Sequence, residues 1–500
     1  MTFMQLTAEE SLSPAGADRA NDTVADLAVH SKKTGEGSVF FCIFGEKNDG
    51  HAYAEEAYQN GCRLFVTEHP VALPPDAGVY ISSNVRRTLA SLSARFFGYP
   101  AKKLCLIGVT GTKGKTTTAH MIRKLLESEG VPCAYIGSDG FLAGGRCEPL
   151  PNTTPDSLTL NRYFSILLYM GIRTAVMEVS SQALMTYRVY GLHFSVCVFT
   201  NLYRDHIGRG EHRCFREYRE AKLSLFREYG CETAVVNVAS PVYRIIRREG
   251  RVGRIISFGY GCRADYTGKN AGAFRNGREL MTSFTVTHHG ETGKTVLPLA
   301  GKHYIENFVA ALAVVCEMRG SRIDAGLPCA KEMKIPGRCE TIPVSLPGLY
   351  VLDYAHNGAG LRAALLGLRP YASGKLWCLF GAVGGHAECR RSDMARAACK
   401  YADLSVITED NPDGEDVLEI CRSIYQAFPD KSVARIIPDR AEAIRYIAEH
   451  AEEGDVILLA GKGNENYQLR SGRRVFFSER EILRSLSDEE NEKQKKRIFF

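Results

Sequence analysis

The segment GVTGTKGKTTT, residues 108–118, decides how the middle of this chain folds. It follows the apolar run LCLI (104–107) and precedes AHMIRKLLESEG (119–130), whose apolar residues recur at helical spacing. A glycine-rich turn between a buried strand and a helix directs backbone N–H groups and the helix N-terminus at one point, which favours a phosphate ligand. The segment therefore predicts a phosphate-binding loop in a parallel α/β domain.

The loop residues themselves are the first candidate binding residues: Gly111, Thr112, Lys113, Gly114, Lys115, Thr116 and Thr117. Lys115 can reach the outer phosphates of a nucleotide, and the Thr116 hydroxyl can bind Mg²⁺. The spacing is the short G-x-x-G-K-T, because Val109 stands where the longer phosphate-loop pattern needs glycine. The alternative is a glycine-rich turn with a solvated lysine. We expect ATP or GTP as the ligand.

Composition and charge exclude several classes of protein. The chain has 500 residues, 45% of them hydrophobic, which leaves room for about three domains. Its formal net charge of +6 is spread along the chain without a dense basic stripe, so we expect no nucleic-acid partner. The 16 cysteines show neither C-x-x-C pairs nor zinc spacing, and no apolar run reaches the ~20 residues of a membrane helix. These features predict a cytoplasmic, soluble monomer with reduced thiols.

Apolar segments of strand length alternate with helical segments along most of the chain. The clearest are RTAVMEV (173–179), HFSVCVFTN (193–201), ETAVVNV (232–238), LYVLDYA (349–355), KLWCLFGAVGG (375–385), ADLSVIT (402–408) and DVILLAGKG (455–463). This alternation predicts parallel sheets covered by helices.

Proline and glycine clusters near 95–103 and 334–348 mark the predicted domain boundaries. We predict three α/β domains, at residues 23–97, 98–335 and 336–488. The polar ends of the chain, residues 1–22 and 487–500, are predicted to be frayed or to form surface helices.

Polar residues that end buried strands are the next candidates, because open parallel sheets bind ligands at the carboxyl ends of their strands. Glu178 ends one apolar segment, where it could bind Mg²⁺ or cap the following helix. Asn201, Asp205 and His206 follow the next segment, and a histidine in such a cluster is a candidate ligand.

Ten segments, in this order, resemble the Mur ligases of peptidoglycan synthesis: GVTGTKGKTTT, NTTPDSL, MEVSSQAL, FTNLYRDHI, REYREAKLSLF, GKHYIENFVAALAV, PGRCE, DYAHN, EDNPDGED and AGKGNENYQ. The resemblance covers residues 24–482 and is strongest to the MurE type, which adds the third residue of the stem peptide. It implies an N-terminal uridine-nucleotide-binding domain, a central P-loop ATPase-like domain, and a C-terminal Rossmann-like domain that binds the amino acid.

The same resemblance implies roles for individual residues. Lys115 and Thr116 would bind the ATP phosphates and a first Mg²⁺, with Glu178 and His206 completing the metal site. Lys222 would be carbamylated and would help to hold a second Mg²⁺. The implied contacts of the UDP-muramoyl-peptide are Ser31, Asn152, Thr153, Thr154, Ser180 and Arg188. Those on the ATP side are Asn307, Arg338, Asp353 and His356. Those of the acceptor amino acid are Asp410, Asn411, Asp413, Gly461 and Glu465.

The implied reaction is ATP-dependent amide formation through an acyl phosphate, with UDP-N-acetylmuramoyl-dipeptide and a free amino acid as substrates. Where ligases that add meso-diaminopimelate read DNPR, this chain reads DNPD at 410–413. A second arginine of such ligases falls on Ala387, with Arg390 and Arg391 nearby. Because Asp413 would repel a distal carboxylate, we expect L-lysine or ornithine, with Asp413 or Glu415 as counter-charge. Alternatively, Asp413 caps the next helix and selects nothing.

Several alternatives stay open at this point. Gln182, Asn464 and the segment DYAHNGAG depart from the pattern of the family, so the chain could be a divergent paralogue with an altered substrate. A ligase that adds meso-diaminopimelate and a folylpolyglutamate-synthase-like ligase are the enzyme alternatives. A catalytically silent nucleotide-binding scaffold is the alternative outside enzymes.

Overall fold

The computed structural model describes residues 1–45, 48–205, 207–208, 211–385 and 388–498. His206 and Ala387 lie outside these residues. The described chain forms two compact units. The first contains residues 1–119, 130–236 and 240–255, and the second contains residues 120–129, 237–239 and those from 256 onwards. No helix in the described part of the chain has both the length and the apolar character needed to cross a bilayer.

The first unit begins with a sheet of five described strands in the order β1-β5-β4-β3-β2. They are β1 (Ser13–Pro14), β2 (Asp26–Ala28), β3 (Ser38–Phe41), β4 (Leu64–Thr67) and β5 (Gly78–Ile81). The helices of this region are α1 (Phe3–Thr7), α2 (Ala54–Gln59) and α3 (Val85–Phe96). Strand β1 is antiparallel to β5, and the other pairs are parallel.

The first 22 residues are part of this sheet region and are not frayed: α1 is a short helix with exposed Met4 and Gln5, in line with the predicted alternative of a surface helix. Phe3 and Leu6 of α1 are buried in the same hydrophobic cluster as β3 and β4. Thr2 and Gln5 form a reciprocal capping box at the start of α1. The few apolar residues of a polar segment are sufficient to anchor it here.

A second sheet of the first unit carries the phosphate-loop segment. Its strands are β6 (Cys105–Thr110), β7 (Cys133–Gly137), β8 (Gly140–Ala143), β9 (Arg146–Glu148), β10 (Thr174–Glu178), β11 (Phe194–Phe199) and β12 (Cys231–Asn237). Their order is β12-β11-β6-β10-β7-β8-β9. The helices are α4 (Lys115–Ser128), α5 (Ser157–Tyr169), α6 (Ser181–Met185), α7 (Phe215–Ser224) and α8 (Tyr243–Glu249). The unit boundary cuts α4 and β12.

Strand β6 lies between β10 and β11 and is parallel to both. The carboxyl ends of these three strands therefore lie side by side. Glu178 is the last residue of β10, and Gly111 and Thr200 directly follow β6 and β11. Strands β8 and β9 add an antiparallel hairpin beside β7. The sheet is consequently mixed: its central strands are parallel, as predicted, and the β8–β9 hairpin adds an antiparallel end.

The second unit contains a β-rich part and a further α/β part. The first has β13 (Val252–Tyr260), β14 (Tyr266–Asn276), β15 (Glu279–His288) and β16 (Glu291–Leu297), followed by α9 (Lys302–Arg319) and α10 (Ile323–Gly326). Strand β13, which also crosses the unit boundary, is parallel to β14, and β14 to β16 are antiparallel. This antiparallel part was not predicted from the sequence.

The last described sheet runs in the order β17-β18-β22-β19-β20-β21. Its strands are β17 (Glu340–Ile342), β18 (Leu349–Asp353), β19 (Leu376–Phe380), β20 (Leu404–Ile407), β21 (Ala434–Ile436) and β22 (Val456–Ala460). The helices are α11 (Gly358–Leu368), α12 (Glu388–Tyr401), α13 (Val417–Gln426), α14 (Arg440–His450) and α15 (Glu479–Ile498). A separate hairpin consists of β23 (Tyr467–Arg470) and β24 (Arg473–Phe476).

All seven segments predicted as strands contain strands of the structure. Apart from edge strand β17, the last sheet is parallel, which confirms the predicted parallel arrangement for this part of the chain. The boundaries at residues 97 and 335 fall between sheets, and they stay a prediction. Helix α15 covers most of the charged C-terminal segment and is anchored by buried Leu483 and Leu486, just before that segment.

Candidate active site

The phosphate-loop segment forms the predicted turn between β6 and α4. Gly111 has φ +142°, and a Cβ there would lie 2.0 Å from the Thr200 Oγ1, so the position requires glycine. The loop is fixed from β11: the Thr112 N–H donates to the Asn201 carbonyl at 2.9 Å, and the Lys113 N–H donates to the Asn201 Oδ1 at 2.9 Å. Asn201, selected from its place at a strand end, therefore holds the loop in shape.

Lys115 and Lys113 lie on this turn with their ammonium groups already partnered. The Lys115 Nζ donates to the carbonyls of Gly111 and Thr112 at 3.1 and 3.2 Å. The Lys113 Nζ lies 3.3 Å from the Asp205 Oδ2. Thr116 and Thr117 follow in the first turn of α4, where N–H groups without helical partners favour an anion. This arrangement suits a nucleotide phosphate.

Glu178, the last residue of β10, is 1% exposed and accepts three hydrogen bonds on its Oε1. The donors are the Thr116 Oγ1 at 2.9 Å, the Tyr135 hydroxyl at 2.6 Å and the Ser138 N–H at 2.9 Å. Burial beside this carboxylate raises the pKa of Tyr135 well above its usual value, so the phenol stays protonated and donates.

The alternative role of Glu178 as a helix cap is wrong, because Ser180 is the N-cap of α6 and accepts the Ala183 N–H. A threonine hydroxyl and a carboxylate at one strand edge are the oxygen ligands that Mg²⁺ prefers. Thr116 and Glu178 therefore fit a divalent cation.

Lys222 lies in the last turn of α7 and is 1% exposed, which excludes a solvated surface lysine. Its Nζ donates to the Gly111 carbonyl at 2.9 Å and lies 4.6 Å from the centre of the Tyr218 ring. Burial, with a smaller contribution from nearby Lys115, lowers the pKa of Lys222 well below its usual value. The amine is therefore predisposed to be neutral.

His206, the other predicted metal ligand, lies outside the described residues, and its role stays a prediction. The nearby His212 was not singled out from the sequence. Its Nε2 lies 2.8 Å from the Ser181 Oγ, and its ring packs edge-on against Tyr218. His212 thus links the segment that follows β11 to the start of α6.

Several residues predicted to contact the muramoyl-peptide lie beside Glu178. The Thr154 Oγ1 donates to the Glu178 carbonyl at 2.8 Å and accepts the Ser180 N–H at 3.0 Å. Arg188 donates to the Thr154 carbonyl at 2.8 Å. These bonds fix the loop and leave the neighbouring Asn152 exposed and Thr153 half-buried.

Ser31 belongs to a separate group of contacts in the N-terminal sheet region. Its hydroxyl donates to the Glu56 carboxylate, and its carbonyl accepts the Asn60 Nδ2–H at 3.0 Å. Its predicted contact with uracil stays a prediction.

Asp49, His51 and His69 also lie close enough together to suggest a metal site in this region. The His51 Nδ1 is 2.7 Å from the Asp49 Oδ1, and the His51 Nε2 accepts the Glu68 N–H at 3.1 Å. A metal on Nδ1 would require an imidazolate, since Nε2 already accepts a hydrogen bond. The donor arrangement therefore does not fit a metal ion.

In the second unit, three of the four residues predicted for the ATP side, Arg338, Asp353 and His356, have their contacts near the end of β18. The Arg338 guanidinium lies 4.5 Å from the centre of the Tyr354 ring, and the His356 Nδ1 is 2.8 Å from the Tyr354 carbonyl. The Asp353 Oδ2 accepts the Tyr304 hydroxyl at 2.7 Å and the Cys339 N–H at 2.8 Å. Asn307 is buried in α9. The contacts of these four side chains with ATP stay predictions.

The predicted acceptor residues meet around Lys462, which the sequence analysis did not select. Asp410 and Asn411 follow β20, whereas Gly461 and Glu465 follow β22. The fully buried Lys462 Nζ donates to the Asp410 Oδ1 at 3.2 Å, the Asn411 Oδ1 at 2.9 Å and the Glu465 Oε2 at 3.3 Å. Lys462 thus orients three of the four predicted side chains.

Asp413 has a different environment from the one predicted. It has φ +52°, its N–H donates to the Leu469 carbonyl at 2.9 Å, and its Oδ1 accepts the Gly472 N–H at 2.6 Å. Its carboxylate thus stabilises the β23–β24 hairpin. The suggestion that it caps α13 is also wrong, because the cap is Asp416.

Glu415 is neutralised within the protein. It accepts the Arg391 Nη2–H at 2.6 Å and the Gly385 N–H at 3.0 Å. Both contacts lower the pKa of Glu415, the Arg391 bond most. Glu415 is thus already paired with an arginine, and Asp413 is engaged by the hairpin backbone.

Comparison with known proteins identifies the family. The sequence matches the Mur ligase middle domain over residues 109–315 and the Mur ligase glutamate ligase domain over residues 337–463. A relative from Geobacillus thermodenitrificans (strain NG80-2), named UDP-N-acetylmuramoyl-L-alanyl-D-glutamate--2,6-diaminopimelate ligase, is 35% identical over 473 residues. That match covers 93% of this chain and 95% of the relative.

Comparison with solved structures gives one similar ligase and one protein that shares the fold. A UDP-N-acetylmuramoyl-L-alanyl-D-glutamate--2,6-diaminopimelate ligase, 28% identical, superimposes with a TM-score of 0.68 and covers 98% of this chain and 99% of its own. A folylpolyglutamate synthase of Mycobacterium tuberculosis, complexed with ADP and AMPPCP, has a TM-score of 0.61 at 18% identity. It covers 75% of this chain and 92% of its own, and it shares the fold alone. The chain belongs to the Mur ligase family and is an ATP-dependent ligase.

Proposed function

We propose that this ligase joins an amino acid to the D-glutamyl carboxylate of UDP-N-acetylmuramoyl-L-alanyl-D-glutamate during peptidoglycan synthesis. The proposal rests on the residues that meet at the carboxyl ends of β6, β10 and β11. There the Lys115 loop and the buried Glu178 carboxylate lie beside Thr153 and Thr154, the residues matched to muramoyl-peptide binding. The names of the relatives supply the substrate class.

The chemistry requires two anions to meet. The substrate carboxylate attacks the γ-phosphorus of ATP, forming an acyl phosphate and releasing ADP, and the acceptor amine then displaces phosphate to form the amide. In this proposal Lys115 leaves the loop carbonyls to bind the phosphoryl oxygens, and the N–H groups of the loop orient them. A first Mg²⁺ held by Thr116 and Glu178, and a second Mg²⁺ held with the help of a carbamylated Lys222, would neutralise charge on the transferring group.

For the acceptor we propose 2,6-diaminopimelate, the alternative kept in the sequence analysis. The relatives carry this name, and they support it better than L-lysine or ornithine. The argument for lysine depended on a free carboxylate at Asp413 or Glu415. That argument is weakened, because the Asp413 carboxylate is engaged by the backbone of a hairpin and Glu415 is paired with Arg391.

Acceptor competition tests the proposal. With ATP, Mg²⁺ and the UDP-muramoyl-dipeptide, we expect kcat/KM for meso-diaminopimelate to exceed that for L-lysine, L-ornithine and L-alanine by at least about tenfold, the equivalent of ~1.4 kcal/mol. Acceptor-dependent phosphate release is the measurement, and folate substrates serve as the comparison for the folylpolyglutamate alternative.

Two variants distinguish L-lysine from 2,6-diaminopimelate as the acceptor. Asp413→Asn and Glu415→Gln each remove one of the carboxylates on which lysine selection would depend. We expect neither to create or abolish a lysine preference. If wild type instead prefers L-lysine and either variant loses that preference, the hypothesis that the acceptor is L-lysine would be supported. An absence of acceptor-dependent phosphate release with every substrate would favour the silent scaffold.

A further inference from the structure

Tyr135 connects Glu178 to the strand beside it. This tyrosine lies in β7, is fully buried, and donates its hydroxyl to the Glu178 Oε1 at 2.6 Å. The Ser138 N–H, from the turn that follows β7, donates to the same oxygen at 2.9 Å. Together with Thr116, these donors fill Oε1 and leave Oε2 as the carboxylate oxygen that can face a cation.

The backbone beside this bond is shaped to accommodate it. A Cβ on Gly137 would lie 2.3 Å from the Tyr135 hydroxyl and 2.4 Å from the Glu178 Oε1. Any side chain at this position would force the phenol and the carboxylate apart. Glycine is therefore required here by the contact between two other side chains.

The turn after β7 also reaches the substrate side. The Ser138 Oγ lies 3.1 Å from the Thr153 Oγ1, while the backbone N–H of the same residue binds Glu178. Thr153 is one of the residues matched to muramoyl-peptide binding. A single residue thus connects the proposed cation carboxylate with the proposed substrate loop.

We propose that Tyr135 is a positioning residue that fixes the rotamer of Glu178 for binding a divalent cation, and that Ser138 couples this carboxylate to the substrate loop. The inference rests on the proposed function in one respect, namely that the Glu178 edge holds the cation that accompanies the nucleotide. Groups that orient a metal ligand without touching the metal commonly contribute 10–100-fold to its affinity.

Tyr135→Phe tests the first part, because it removes one oxygen and keeps the ring. In the presence of ADP, we expect the variant to bind Mn²⁺ about 10- to 100-fold more weakly than wild type, measured as free Mn²⁺ by electron paramagnetic resonance. In steady-state assays the Mg²⁺ concentration for half-maximal activity should rise, with KM for the acceptor unchanged. Unchanged Mn²⁺ affinity would overturn the role of Tyr135.

The chain offers a matched control in Tyr163→Phe. Tyr163 belongs to the same hydrophobic cluster as the β10 core and donates its hydroxyl to the Glu148 carboxylate at 3.0 Å. This variant loses the same kind of bond away from Glu178, so its Mn²⁺ affinity should equal that of wild type. Thermal unfolding of both variants shows whether packing changed, and a matching loss of Mn²⁺ affinity in Tyr163→Phe would contradict a specific role for Tyr135.

Ser138→Ala tests the coupling, because it keeps the N–H bonded to Glu178 and removes the contact with Thr153. We expect Mn²⁺ affinity to be retained and the UDP-muramoyl-dipeptide to bind about 2- to 10-fold more weakly, the range of one neutral hydrogen bond. Unchanged binding of this substrate would remove Ser138 from the proposal. Failure of wild type to bind the UDP substrate would refute the proposed function, whereas the Mn²⁺ and ADP measurement would still test Tyr135.

Discussion

Replacing Lys222 by alanine should lower kcat by about 10²–10³-fold, the effect of removing one preorganised charge-stabilising group. Lys222 is buried, donates to the Gly111 carbonyl and lies near both Lys115 and Asp205. If Lys222 stayed an unmodified ammonium, it could help Lys115 to bind the phosphates but could not hold a metal ion. We expect the loss of activity because Lys222 carries a carbamate, whose oxygens can bind Mg²⁺.

The environment of Lys222 favours that modification. Only a neutral amine attacks CO₂. The nitrogen forms a bond to the carbon, a proton leaves to solvent, and the product is a carbamate anion. Because burial lowers the pKa of Lys222, the neutral amine is available at a lower pH than for a surface lysine. At lower pH the carbamate takes up a proton, its N–C bond breaks to release CO₂, and the freed amine is protonated, so activity should fall as the pH is lowered.

Two measurements separate the carbamate from a simple structural role. Short carboxylates such as acetate should partly restore activity to Lys222→Ala, since they can supply the missing oxygen ligands. In buffer with ¹³C-bicarbonate, wild type should show a carbamate carbon signal that the variant lacks. Full activity of Lys222→Ala without added carboxylate would refute the prediction, whereas Lys269→Ala, a change in β14, which carries none of the candidate site residues, should behave like wild type.

The phosphate loop and Glu178 could be predicted from sequence because their signals are local. A strand, a glycine turn and a helix follow one another within 25 residues of chain, and Glu178 ends an apolar strand whose edge position follows from parallel pairing. The same pattern predicted four of the six strands of the last sheet, β18, β19, β20 and β22, whereas the candidate side chains that follow them were implied only by the resemblance to the Mur ligases. Local pattern and the geometry of parallel sheets were sufficient for these elements.

Residues whose partners are distant in sequence were missed. Tyr135 reads as an ordinary core aromatic, because its bond to Glu178 spans 43 residues. Lys462 fell within a predicted strand segment and was given no role, although three partners surround its ammonium group. Asp413 was assigned to an acceptor or to a helix cap, while its partners are in the hairpin that begins at Tyr467. Such contacts are set by tertiary packing and carry no periodic signal.

Arg440→Met should lower the free energy of unfolding by about 3–5 kcal/mol, because it leaves a buried charge without its partner. Arg440 and Glu479 have fully or almost fully buried side chains; the Arg440 Nε donates to the Glu479 Oε1 at 2.9 Å, and the Arg440 Nη2 lies 2.8 Å from the same oxygen. The guanidinium also donates to the carbonyls of Glu409 and Ala460 at 3.0 and 2.7 Å. Methionine fills similar space but satisfies none of these acceptors.

Thermal unfolding measures the effect, and we expect the transition of the affected part to fall by roughly 10 °C. Arg445→Met is the matched control. Arg445 also links α14 to α15, through Glu489, but that pair is half-exposed and should contribute less than ~1 kcal/mol. Arg440→Met with Glu479→Leu should recover part of the loss, because no unpaired carboxylate is left. Equal transition temperatures for the two arginine variants would contradict the prediction.

The position of Arg440 gives this prediction a functional readout as well. The Glu409 carbonyl directly precedes Asp410, and the Ala460 carbonyl directly precedes Gly461, so one guanidinium holds the ends of the two strands that carry the Lys462 cluster. A variant that stays folded below its transition should therefore show a higher KM for the acceptor amino acid. Mn²⁺ binding with ADP should remain at the wild-type level, because the hydrogen bonds to the Glu178 carboxylate come from Tyr135, from the turn that follows β7 and from α4.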